Sequence, residues 1–62
     1  MKESVTVVVV TRDPEQFLKY RNVTNIPMLC RYITKKKLII HHVNVYSKGG
    51  VYLRREYPAE QQ

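Results

Sequence analysis

Ile26-Pro27-Met28-Leu29-Cys30-Arg31-Tyr32-Ile33-Thr34-Lys35-Lys36-Lys37 is the stretch on which the fold turns, because it scans as two different elements. As a helix it places Ile26, Leu29, Cys30 and Ile33 at i, i+3, i+4 and i+7, one apolar stripe. Asn25 then caps the start, Pro27 falls in the first turn where its missing N–H does no harm, and the lysines suit the negative end of the helix dipole. As a strand, Met28, Cys30 and Tyr32 share one face, Leu29, Arg31 and Ile33 share the other, and 34–37 becomes a hairpin loop. Propensity does not separate the two. The helix is preferred by a narrow margin, and the strand stays open.

Upstream, residues 4–12 read as a strand: every position from Val5 to Thr11 is β-branched, with no Gly or Pro. Both of its faces are largely apolar, Val5, Val7 and Val9 on one and Thr6, Val8 and Val10 on the other, so it should be covered twice. A chain this short has little to cover two faces with, which points to a second copy. Asp13-Pro14-Glu15 then looks like a helix start, with Asp13 as cap, Pro14 preset for the first turn and Glu15 facing the positive end of the dipole. That helix is expected to run to about Arg21 or Asn22, with Phe17, Leu18 and the stem of Arg21 on its buried side.

Downstream, 37–46 and 51–57 are strand-like and joined by Ser47-Lys48-Gly49-Gly50. A three-residue loop with Gly50 at positive φ gives a type I turn plus bulge. It puts Ile39, His41, Val43, Val45, Val51, Leu53 and Tyr57 on one face, spoiled only by Arg55. Ile40, His42, Asn44, Tyr46, Tyr52, Arg54 and Glu56 fall on the other. Pro58 ends the strand, and 58–62 should fray.

The fold class expected is thus α+β in one small domain spanning 1–62: an N-terminal strand, one or two short helices and a C-terminal antiparallel β-hairpin. The order β-α-α-β-β is preferred over β-α-β-β-β. With its turn at 22–25, the first order resembles the outline of Cro-type and winged helix-turn-helix repressors, a likeness of element order that rests on no diagnostic residue. It implies that Arg31, Tyr32, Thr34 and Lys35, which lie off the apolar stripe, enter a major groove, with the hairpin as a wing and Lys48 at its tip.

Charge supplies the partner class. Residues 16–55 are forty in a row without one Asp or Glu, and they hold nine of the 11 Lys and Arg; the net charge is +6. Unrelieved like charge repels itself, so a one-signed middle asks for a polyanion. Nucleic acid, DNA or RNA, is the expected partner, and the protein is expected to be a small basic binding protein acting as a homodimer. A module binding an acidic protein by a sheet edge is the rival.

The candidate contact residues are Arg31, Lys35, Lys36, Lys37, Lys48, Tyr46, Tyr52 and Arg54. Lys35, Lys36 and Lys37 make a compact positive patch that would grip phosphate without reading sequence, or else a solvated turn. Tyr46 opposite Tyr52, with Arg54 alongside, offers stacking platforms to unpaired bases. Cross-strand aromatic pairs more often simply brace a sheet.

No chemistry is expected beyond binding. His41 and His42 should diverge from a strand, and in the all-strand reading Cys30 would lie opposite His41, giving two ligands at most where structural zinc wants four, so no metal or other cofactor is expected. Asp13 and Glu15 are explained as helix-start residues; no nucleophile–base set and no phosphate-loop pattern occurs, so an enzyme and a small-molecule substrate are not expected. Val5 to Val10 is too short to span a bilayer and lacks the features of a signal peptide. Cys30 is the only cysteine, and a lone thiol suits a reducing, cytoplasmic setting as a small buried hydrophobe.

Overall fold

The computed structural model describes residues 3–58. In chain order they form β1 (Val5–Arg12), β2 (Phe17–Val23), α1 (Ile26–Lys35), β3 (Ile39–Tyr46) and β4 (Tyr52–Glu56). The strands make one sheet in the order β2-β1-β3-β4, antiparallel at every pairing. This is a small α+β domain with an N-terminal strand, one helix and a C-terminal antiparallel hairpin. The expected fraying of 58–62 falls, past Pro58, outside the described residues.

Residues 26–35 are the helix that their stripe and cap announce. The Asn25 side chain accepts a hydrogen bond from the Met28 N–H at 3.0 Å, and its φ of −139° is the extended value a capping residue needs. At the other end the Lys36 N–H donates to the Ile33 carbonyl and the Lys37 N–H to the Thr34 carbonyl. Lys37 turns the chain out of the helix at φ 64°, a place more often held by glycine. The buried stripe carries Cys30 and Ile33 into a core with Val7, Val9, Ile40, Val43 and Val45. Each such side chain contributes roughly 1.5–3 kcal/mol by leaving water, which matters in a domain with so thin a margin.

The segment read as a first helix is instead strand β2, so the order is β-β-α-β-β. Asp13 sits at φ 57°, outside the extended region a cap requires, and closes a tight reversal. There the Thr11 N–H donates to the Gln16 carbonyl at 2.9 Å, and Thr11 Oγ1 donates to the Pro14 carbonyl at 3.0 Å. Leu18 and Tyr20 then point into the core while Phe17, Lys19 and Arg21 face out. A helix of eight residues would have buried only Phe17, Leu18 and the stem of Arg21, and short helices are marginal on their own. The strand buries more, and it pairs an edge of β1 that would otherwise stand bare. The helix-turn-helix outline does not survive this exchange: α1 is the only helix among the described residues.

Three bulges decide which side chains reach which face. Tyr46 pairs with Tyr52, as the three-residue loop predicts, and Gly50 takes φ 94°. One step later Val45 pairs with Arg54, leaving Leu53 as the extra residue. Between Val10↔His42 and Thr11↔Ile40, His41 is extra. Near the start of β1 the pairing shifts between Val5↔Val23 and Val7↔Tyr20, with Asn22 at φ 59°. A slip of one residue exchanges faces. Ile40 therefore enters the core and Ile39 leaves it, the reverse of the regular alternation expected.

Candidate nucleic-acid interface

With α1 covering the face of Val7, Val9, Val43 and Val45, the opposite face of the sheet carries no helix among the described residues. Register builds it in rows. Lys19, Val8, Asn44 and Arg55 are successive cross-strand partners from β2 to β4. On one side of that row lie Thr6, Tyr46 and Tyr52; on the other lie Phe17, Val10 and His42. No carboxylate stands in these rows. Val10 is nevertheless 4% exposed and Val8 half-buried, so flanking side chains already shield much of the second apolar face of β1.

The Leu53 bulge exchanges the two arginines. Arg54 faces the helix side opposite Val45, and its Nε lies 2.6 Å from Glu56 Oε2 in an exposed ion pair. Arg55 takes the place beside the tyrosines: its Nε donates to Asn44 Oδ1 at 3.3 Å and its Nη1 to Tyr57 Oη at 3.4 Å. The phenols of Tyr57 and then Tyr52 raise its pKa above the ordinary arginine value, so it is a permanent charge. Expecting Arg54 on the tyrosine face is thus corrected to Arg55.

The rings on this face are partly free. Tyr46 and Tyr52 meet edge to face, centroids 5.6 Å apart, yet Tyr52 stays 52% exposed, Tyr57 62% and Phe17 67%. His42 lies 6.0 Å from the Tyr57 ring. The His41 bulge also undoes the expected divergence of the histidines: their Nδ1 atoms are 2.6 Å apart, so one ring donates and the other accepts. Burial first, then the charge of Arg55 and the neighbouring His41, lowers the pKa of His42 below that of an ordinary imidazole. Among the described residues no group of three or more His, Cys, Asp or Glu could hold a metal ion.

The other expected contacts are scattered. Lys35, Lys36 and Lys37 gather at the C-terminal end of α1, beside the start of β3. Lys48 is at the tip beyond the end of β3, about 23 Å away along that strand by its rise per residue. Lys36 Nζ sits 4.5 Å from the centre of the Tyr32 ring, a cation–π contact on the outer face of α1. Arg31 and Lys35 are exposed on that helix. Tyr46 meets the Tyr52 ring, and it shares a concavity with Lys48, Lys19 and Arg21 at the end of the open face.

Lys19, Arg21, Arg55, Tyr57 and Phe17 were not among the expected contacts. The alternation of Leu18 and Tyr20 with Phe17, Lys19 and Arg21 was the available signal for the β2 residues. For Arg55 the hint was that it alone spoiled an otherwise apolar face. No helix among the described residues is long and apolar enough to cross a membrane. Comparison of the chain with family models, with curated proteins and with solved structures gives no match in any of the three.

Proposed function

We propose that this chain is a non-enzymatic nucleic-acid-binding protein that lays single-stranded RNA or DNA across the helix-free face of its sheet. The observation that carries the reading is the composition of that face: exposed Tyr52, Tyr57 and Phe17 rings interleaved with Lys19, Arg21 and Arg55, and no carboxylate in its rows. Bases have two apolar π-faces and stack on such rings whatever their identity, while the cations follow the phosphates. A duplex hides those faces, so single strands are the better fit. The unit is proposed to be a cytoplasmic homodimer, supported by the β4 edge, where Leu53 and the preceding Val51 remain 47% and 66% exposed. A protein partner adding a strand to that edge is the second reading, favoured by the same two residues.

The test is a titration of labelled single-stranded RNA, single-stranded DNA and duplex DNA at low salt. Tighter binding of either single strand than of the duplex is the expected result. Absence of binding to all three probes would sink the reading and leave the sheet-edge alternative.

A further inference from the structure

Resting on that reading, we infer that the concavity at one end of the open face is a seat for the terminal phosphate of a strand, so that the protein engages phosphorylated ends. The concavity measures about 640 Å³, within the size range of small-ligand sites. Its walls come from three parts of the chain: Lys19 and Arg21 on β2, Thr6 on β1, and Lys48 on the β3–β4 turn, with the Tyr46 ring between them.

Three cations face one space that no carboxylate lines. Glu3 lines the adjoining depression, which Lys48 also borders, but the sole ion pair among the described residues joins Arg54 to Glu56. The three positive charges therefore repel one another across the concavity until an anion enters. A phosphodiester inside a strand carries a single negative charge, whereas a phosphomonoester carries nearly two at neutral pH and offers three acceptor oxygens. Three converging cations match the monoester better than the diester. Tyr46 beside them gives the terminal base a ring to stack on, and Tyr52, set at 70° to it, offers a separate ring on β4 for a following base. Polarity follows from position: the end of the strand is held at the β3–β4 turn, and the remaining nucleotides run toward Arg55 and Tyr57.

The experiment compares short single strands of one sequence bearing a 5′-phosphate, a 3′-phosphate or hydroxyls at both ends, titrated into the full chain. One phosphorylated end should bind about tenfold tighter than the hydroxyl form, the value of one added charge-assisted contact. The variant carrying Lys19→Gln, Arg21→Gln and Lys48→Gln removes general phosphate contacts as well, so it should bind all three strands more weakly but equally, the preference for a phosphorylated end being lost. All three positions are exposed, and a thermal melt of the variant confirms that it is folded. Equal affinity for all ends overturns this inference and leaves the open-face reading standing. A preference that survives in the folded triple variant also overturns it. No binding of any strand overturns the open-face reading and this inference together.

Discussion

The two faces of the sheet are built from the same strands and behave as opposites. Toward α1, Val7, Val9, Val43 and Val45 are fully buried and joined by Ile33 and Cys30 in one dry cluster. Away from it, the alternate residues Thr6, Val8, Asn44, Tyr46 and His42 are only half-buried, and Val10 alone is closed off, at 4% exposed. Sequence alternation alone would put a repeating pattern on both faces. What separates them is where the bulges fall, because each exchanges the faces for everything beyond it. The helix side thereby exchanges Arg55 for Arg54 and gains Ile40. The open face gains a guanidinium among three tyrosines.

If the helix side is the source of stability, the largest effect of any single change will be there. Ile33→Ala removes a fully buried side chain at the centre of the cluster and should cost about 2–5 kcal/mol, enough to leave much of so small a domain unfolded. Asn44→Ala, at the centre of the open face, should cost well under about 1 kcal/mol, since it loses one exposed hydrogen bond to Arg55. Urea denaturation of both variants checks this. Equal losses would mean that the open face is a second core and that something covers it.

The second contrast concerns the rings. Tyr52→Ala should weaken single-strand binding by about 1–3 kcal/mol, and Tyr52→Leu almost as much, because leucine restores apolar area but gives bases no aromatic face. Melting temperature measured on the same two proteins separates stacking from bracing. A folded Leu variant that binds like the parent would return Tyr46 and Tyr52 to a purely structural role.

These faces were only partly legible in the sequence. The helix at 26–35 could be read because three signals agreed: the stripe through Ile26, Leu29, Cys30 and Ile33, the Asn25 cap, and Pro27 in the first turn. The hairpin could be read because Gly50 fixes the loop length. Strand β2 could not, since Asp13-Pro14-Glu15 has the composition of a helix start and only the paired geometry of Thr11 with Gln16 shows it to be a turn. The bulges at His41 and Leu53 carry no glycine to mark them. The His41 bulge is settled by packing, since regular alternation would bury Ile39 and the slip buries Ile40 instead; the Leu53 bulge exchanges Arg55 for Arg54 on the helix side and leaves both exposed. The site residues inherited that error, which is why Arg54 was expected where Arg55 stands.

The arginine exchange itself gives a smaller and cleaner effect. Arg55→Gln should flatten the salt dependence of single-strand binding by roughly 0.7 in log K per log salt, the loss of one phosphate contact. Arg54→Gln should leave the slope unchanged, because Arg54 lies on the helix side in an ion pair with Glu56. Salt titrations of both variants give the answer, and a reversed pattern would place the bulge elsewhere than at Leu53.

The smallest effect expected is a pH dependence that runs in opposite directions for stability and for binding, and it comes from His42. Burial, Arg55 and His41 lower its pKa in the folded chain, so between the folded and unfolded values the unfolded state binds more protons. Stability is then full above the ordinary imidazole value near 6.5 and falls as pH drops through the lowered folded value. Binding should respond with the other sign. A phosphate laid along Arg55 supplies negative charge beside His42 and favours its protonated form, so affinity should rise as pH falls over that window. The groups facing His42 are Arg55 and His41, with Tyr57 at 6.0 Å and Val10 across the ladder, none of them a carboxylate that could mimic the effect. His42→Gln should flatten both slopes while retaining the strand. Affinity that falls with pH in the parent, or opposing slopes that persist in the Gln variant, would remove His42 from the contact face.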